Sequence, residues 1–297
     1  MSQMREFFTK CGKKIKDFFA KMTVEVNEKE DKEGWSLGDL LATVLRTMKL
    51  LWDVLLVFAL GGLLFGAGIA IGYAASLFNE TETPDPTQLV QQVRNISSVS
   101  KISYSDGSII SDIDSDLIRI PVQKDAISDN VKKAVIATED ENFNSHNGVV
   151  PKAVIRATLG SVAGVGSSSG GSTLTQQLIK QQVVGDAPTF SRKAAEIIDA
   201  LALERVMDKE EILTTYLNVS PFGRNNRGQN IAGVEAAAQG IFGVSAKDLT
   251  VTQAAFIAGL PQSPIVYSPY ASDGSLQTQE NQALGLDRGK DVLYNMY

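Results

Sequence analysis

The chain has 297 residues and a formal net charge of −6. It is 43 % hydrophobic, with 25 Gly, 9 Pro, 1 Cys and 1 His. These figures exclude a disulfide-stapled miniprotein, a collagen-like fibre and a wholly disordered polypeptide, and they accommodate one or two domains. Cys11 has no intramolecular disulfide partner, and a zinc centre would have to be built from His146 and distant carboxylates.

Charge divides the chain into three parts. Residues 1–53 are highly charged and nearly balanced, residues 54–78 carry no charge, and the remainder is acidic. The first part opens with FFTKCGKKIKDFFAKM, whose phenylalanines and lysines suit either an amphipathic helix on an anionic leaflet or a loose tail. From Val54 to Phe78 an apolar stretch would rise about 37 Å as a helix, enough to cross roughly 30 Å of hydrocarbon with some tilt. A signal peptide normally has a shorter apolar core nearer the start, and no Ala-x-Ala cleavage site follows here. Arg46 and Lys49 precede the stretch, whereas Glu80, Glu82 and Asp85 follow it. This balance predicts one membrane-spanning helix with residues 1–53 in the cytoplasm and the rest outside. Gly62 and Gly66, like Gly68 and Gly72, have a spacing that suits close helix packing, although glycine is common in membrane helices in any case.

Residues 79–94 read as an extracellular spacer. KISYSDGSIISDI then predicts a small hairpin turning at Asp106-Gly107. Helical periodicity follows over about 131–139, and Pro151 suits the first turn of a helix running to about Val162. Further helices are predicted at about 173–184, 190–207, 209–218, 231–242 and 250–259. Thr173 with Gln176, and Thr250 with Gln253, have the spacing of capping boxes. Residues 271–297 contain few apolar anchors and read as a peripheral helix or the start of a linker.

Four stretches carry the candidate chemistry. EDENFNSH places Glu139 and Asp140 at a helix end near Phe143 and His146, where a partly desolvated carboxylate can act as a base or simply end a charged helix. SSSGGSTLTQQLIK brings Ser172, Thr173, Gln176 and Lys180 onto a helix start whose amides suit an anionic oxygen, or only a capped linker. In FSRKAAEIIDALALERV, Arg192, Lys193 and Glu196 share a helix sector, either as a diphosphate site or as an intrahelical ion-pair cluster. Finally, Tyr216 and Asn218 lead into a loop with Arg224 and Arg227 and then into an alanine-rich helix with Glu235. This arrangement leaves room for an extended sugar polymer.

Taken together, EDENFNSHNG, GGSTLTQQLIK, RKAAE, ILTTYLN with FGRNNRG, GVEAAAQGIFG and LPQSPIVYSP resemble glycosyltransferase family 51. This is the peptidoglycan polymerase domain of class A penicillin-binding proteins and monofunctional transglycosylases. The resemblance covers about 95–270 and implies a mainly α, lysozyme-like domain with a membrane-associated jaw, which polymerises lipid II at a bacterial plasma membrane. It matches Glu139 to the catalytic base and Glu196 to the second glutamate. It matches Ser172, Lys180, Arg192 and Lys193 to substrate and phosphate contacts, with Thr173 and Gln176 beside them. Asp140, Phe143, His146, Asn218, Arg224, Arg227 and Glu235 are secondary cleft candidates.

Implied partners are lipid II and its growing glycan, membrane lipids, cell-wall synthesis proteins and the inhibitor moenomycin, but no nucleic acid. No cofactor is required on this reading. A divalent cation, Mg or Mn, is an optional aid to the diphosphate, with no ligand set identifiable. Pro188 stands where the family often has Arg, and Val150 where it often has Asp. The resemblance further suggests a polymerase half cut before a transpeptidase domain. The alternative from a different chemistry is a lysozyme-like hydrolase or lytic transglycosylase. Ser98 to Lys101 spells SxxK and Ser128 to Asn130 spells SDN, as in serine transpeptidases, but Lys-Thr-Gly is missing. A non-catalytic membrane scaffold leaves the ordered motifs unexplained.

Overall fold

The computed structural model describes residues 37–81, 84–96, 101–105, 109–112, 117–154 and 171–297, together with residues 13, 16, 17 and 20. The amphipathic opening, the Asp106-Gly107 turn and most of the Ser/Gly-rich stretch before Gly171 lie outside the described residues. The chain divides into two compact units, Met1–Tyr73 and Ala74–Tyr297.

Helix α1 spans Leu37–Glu80, so it begins well before the uncharged stretch and takes in Arg46, Lys49 and Asp53. It is the one helix among the described residues long and apolar enough to cross a membrane, by length and composition. Its large apolar side chains, Phe58, Leu63 and Phe65 among them, are exposed.

The second unit is mainly helical with two small sheets. Helix α2 (Pro86–Arg94) starts on Asp85, whose carboxylate caps Thr87 N–H, and buries Leu89 and Val93. Strands β1 (Lys101–Ser103) and β2 (Ile109–Asp112) pair antiparallel, as the hairpin reading expects. Strand β3 (Leu117–Arg119) precedes helix α3 (Asp129–Glu139), which turns Val131, Ala134 and Val135 inward. Residues 151–154 are helical; the remainder of the helix expected there lies outside the described residues.

Helix α4 (Leu174–Ile179) is short and continues as a π-helical turn over Lys180–Val184, where the sequence suggests one uninterrupted helix. Helices α5 (Phe190–Leu203) and α6 (Lys209–Val219) follow, then β4 (Pro221–Arg224) and β5 (Asn230–Ala232). Strand β5 runs parallel to β3 and antiparallel to β4. The helix expected over 231–242 therefore starts late: α7 covers Val234–Ala237, extended by a π turn over Ala238–Phe242. The switch is at Gly233, with φ 88°, where a Cβ would stand 2.8 Å from the Asn218 carbonyl oxygen. Only glycine suits both the positive φ and the close approach.

Helix α8 (Val251–Gly259) begins with the expected Thr250–Gln253 capping box, and α9 (Pro264–Tyr267) is a single turn. Residues 271–297, read from the sequence as a peripheral helix or the start of a linker, include helix α10 (Gln279–Asn295), which packs on α8, α9 and α3. Val292 anchors it in the core, and two glycines let it come close: a Cβ on Gly285 would lie 2.6 Å from the Tyr267 carbonyl oxygen, and one on Gly289 would lie 3.4 Å from Phe256 Cα. Close backbone approach supplements few apolar side chains here, so hydrophobic periodicity reads it weakly.

One core joins these helices. Leu174, Leu178 and Ile179 of α4, Leu203 of α5, Tyr216 and Leu217 of α6 and Ile257 of α8 are all fully buried in it. This packing fixes α4 between α5 and α6.

Candidate active site

The C-terminal end of α3 is secured to the N-terminal end of α4 by its second carboxylate. Asp140 is buried, and its Oδ2 accepts from Leu174 N–H at 3.0 Å and from His146 Nε2 at 2.9 Å. Gly148 N–H donates to His146 Nδ1 at 3.0 Å, so the network assigns the ring proton to Nε2. Phe143 is 1 % exposed, edge-on to His146 at 6.1 Å between centroids, with Lys209 Nζ 4.4 Å over its ring. Asp140, Phe143 and His146 thus build the joint that carries Glu139.

Of the two amides expected to receive an anion, those of Ser172 and Thr173, the Thr173 N–H is already taken, and so is the Leu174 N–H that follows. Gln176 Oε1 accepts from Thr173 N–H at 3.0 Å, Thr173 Oγ1 accepts from Gln176 N–H at 3.1 Å, and Asp140 takes Leu174 N–H. Thr173 and Gln176 therefore complete the capping box and brace the helix. A hydroxyl donation from Thr173 to the Gly148 carbonyl at 2.5 Å ties the cap to the joint.

Glu139 faces the same helix one turn on. Gln177 Nε2 donates to Glu139 Oε2 at 2.9 Å, and Tyr216 Oη donates to Gln177 Oε1 at 3.1 Å. With its oxygen occupied by the phenol, the Gln177 amide can only present its NH₂ to the carboxylate. Burial first, and the Glu139 charge second, push the Tyr216 hydroxyl well above its ordinary range, which keeps it a donor. Among the described residues Glu139 Oε1 accepts no hydrogen bond, and the Arg288 guanidinium lies 4.0 Å from it.

The cations stand at the two ends of α4. At its beginning, Lys193 Nζ donates to Ser172 Oγ at 2.9 Å. Lys193 and Arg192 both grip Glu196, whose side chain is 1 % exposed. At the other end, Lys180 Nζ meets Asp186 at 2.7 Å, and the charges of Lys180 and then Arg192 hold the Asp186 carboxyl below its usual range. Arg192 Nε also donates to the Ala187 carbonyl at 2.9 Å, just before Pro188. Gln177 and Lys180 are three residues apart, a rise of about 5 Å along one helix. Glu139 and the cations therefore share α4 as a spine.

Of the remaining candidates, Asn218 and Glu235 bond into the scaffold through their side chains, and Arg224 and Arg227 do so through their backbone N–H groups. Asn218 bonds both the N–H and the carbonyl of Val122, at 2.9 and 2.8 Å. Glu235 accepts from Gln239 Nε2 at 2.5 Å and from Ala246 N–H at 2.7 Å. Arg224 lies on β4 with its N–H on Ser268 Oγ, and Arg227 occupies the turn between β4 and β5. No contact among the described residues joins these four to Glu139. The SDN stretch is likewise a helix start: Ser128 Oγ accepts from Asn130 N–H and donates to the Leu249 carbonyl.

Three participants escape the sequence reading. Gln177 is signalled only by its three-residue spacing from Lys180. Asp186 reads as a loop residue, and Arg288 lies in the stretch read as a peripheral helix or the start of a linker. For the divalent cation, no group of three or more His, Cys, Asp or Glu converges among the described residues. Asp186 and Glu196 are moreover committed to lysine and arginine.

The family model for Transglycosylase matches residues 106–296, and the chain belongs to that family. Its similar relatives include penicillin-binding protein 1A of Clostridium botulinum (strain Langeland), 38 % identical over 234 residues, which are 77 % of this chain and 27 % of that protein. Penicillin-binding protein 1A of Clostridium perfringens (strain 13) is 36 % identical over 248 residues, 81 % of this chain and 34 % of that protein. The chain thus spans about a third or less of the length of these relatives. A crystal structure of penicillin-binding protein 1A from Haemophilus influenzae aligns with a TM-score of 0.35 and 22 % identity, over 68 % of this chain and 19 % of that one.

Proposed function

We propose that this domain is a peptidoglycan glycosyltransferase. It polymerises lipid II into β-1,4-linked glycan with inversion at the donor carbon and releases undecaprenyl pyrophosphate. The observation that carries this reading is one short helix, α4, with an under-coordinated carboxylate at its side and three cations at its ends.

Glu139 Oε1 takes the proton of the acceptor GlcNAc 4-hydroxyl as that oxygen attacks C1 of the donor MurNAc. The donor is α-linked and the product β-linked, so a single in-line displacement accounts for the chemistry without a protein nucleophile. The C1–O bond to the lipid diphosphate breaks as the new bond forms. Lys180, Arg192 and Lys193 meet the charge that grows on the departing diphosphate, where their contribution is larger in the transition state than in the ground state. Asp186 and Glu196 hold these cations in the ligand-free site. The exposed Asp186 is the carboxylate a diphosphate displaces, and the buried Glu196 keeps Arg192 and Lys193 aligned. No step is routed through a metal ion.

On this reading the chain is anchored in the plasma membrane through helix α1, with the N-terminal side in the cytoplasm and the catalytic domain outside, where both reacting lipids lie; the length and apolar composition of α1 support the anchor. Anchoring enzyme and substrate in one layer raises their effective concentration. Moenomycin occupies the donor end of the site on this reading. Incubating the chain with lipid II tests it: long β-1,4 glycan and free undecaprenyl pyrophosphate are expected. Shortening of finished glycan without polymerisation would replace this function with a lytic one.

A further inference from the structure

Arg288 belongs to α10, and its guanidinium stands 4.0 Å from the Glu139 oxygen that accepts no hydrogen bond among the described residues. Its side chain is 18 % exposed, and its Nε is buried without a hydrogen-bond partner. A guanidinium bears five donors in a planar fork that matches a carboxylate, so a buried, unpaired edge beside an ionisable oxygen is an unfinished contact.

The direction of the arm is set elsewhere. Gly259, the last residue of α8, has ordinary helical geometry at φ −79° and ψ −21°, so positive φ does not explain the glycine. Space does: a Cβ there would lie 2.8 Å from Arg288 Cγ, close to the root of the side chain. Arg288 therefore passes over Gly259 to reach Glu139.

We infer that Arg288, seated on Gly259, is a positioning residue for Glu139: it holds Oε1 toward the acceptor hydroxyl while Gln177 holds Oε2. This rests on the reading of Glu139 as the base. Three elements then fix the carboxylate, α3 that bears it, α4 through Gln177 with Tyr216 behind, and α10 through Arg288. The charged group facing it is the Arg288 guanidinium, and the neutral Tyr216 phenol stands one residue behind the Gln177 amide. The arrangement couples the last helix of the domain to its chemistry, although α10 contributes no group to the reaction itself.

The test uses the full chain with lipid II and four variants, with kcat, KM and the melting temperature measured for each. Arg288→Gln should lower kcat by roughly tenfold or more with KM little changed, since small misplacement of a catalytic group is costly. Arg288→Lys should recover part of that loss. Gly259→Ala, which keeps every charge and adds a better helix former, should lower kcat by shifting the arm. Unchanged kcat in Arg288→Gln would overturn the inference, as would wild-type kcat in Gly259→Ala. If Arg288→Gln does not fold, Arg288→Lys and Gly259→Ala decide it by the same readouts. Glu139→Gln separates the two claims. Retained polymerisation in that variant removes the base reading itself, whereas its loss alongside a fully active Arg288→Gln removes only the positioning role.

Discussion

Two glutamates on neighbouring helices differ in what holds them, and the difference assigns their roles. Glu196 is closed off by Arg192 and Lys193, whereas Glu139 has one amide donor and one open oxygen. Glu196→Gln should therefore weaken diphosphate contacts by loosening both cations. We expect turnover of lipid II to fall at least tenfold with the fold kept, as measured by polymer yield and circular dichroism. A third acid, Asp199, is 7 % exposed and accepts no hydrogen bond among the described residues, and burial raises its pKa. A carboxyl raised on folding favours the folded state while protonated and opposes it once pH climbs past its unfolded value. Asp199→Asn should accordingly raise the melting temperature at pH 7 and leave it nearly unchanged at pH 3. Of the residues at the site, Glu139, Lys180, Arg192, Lys193 and Glu196 were legible as candidates from their types and spacing, which equally suited a helix end and an ion-pair cluster; their roles came from the resemblance to glycosyltransferase family 51. Gln177 was not legible, since two adjacent glutamines on a helix point in different directions and only packing shows which meets the carboxylate.

At the scale of the element, α4 is six residues long, too short to stand alone; its own capping box is reinforced by Asp140 on Leu174 N–H and by the Thr173 tie to Gly148. Removing the Thr173 hydroxyl takes away both the cap on Gln176 N–H and the tie to Gly148. Thr173→Ala should cost about 1–2 kcal/mol in denaturant unfolding and lower activity through the misplaced Gln177 and Ser172. Gly285→Ala should cost roughly 1–3 kcal/mol, because the new methyl would press on the Tyr267 carbonyl. These elements show what periodicity can read. The capping boxes at Thr173 and Thr250 are local patterns and were visible. Strand β5 pairs with residues more than a hundred positions earlier, and α10 comes close to its neighbours through two glycines; neither leaves more than a weak mark in local hydrophobicity.

At the scale of the whole molecule, an exposed apolar helix and a helical domain with a carboxylate–cation site meet in one chain. If the helix concentrates enzyme and lipid in one layer, replacing it by a soluble leader should slow polymerisation of bilayer-embedded lipid II far more than that of a short-chain, water-soluble analogue. Equal slowing of both would point to damage in the domain. The most direct measurement is glycan synthesis from lipid II by full-length Glu139→Gln beside the unaltered chain, with melting temperatures taken on the same samples. The account requires no glycan above background from a variant that melts normally. Glycan at a substantial fraction of the unaltered rate would contradict it.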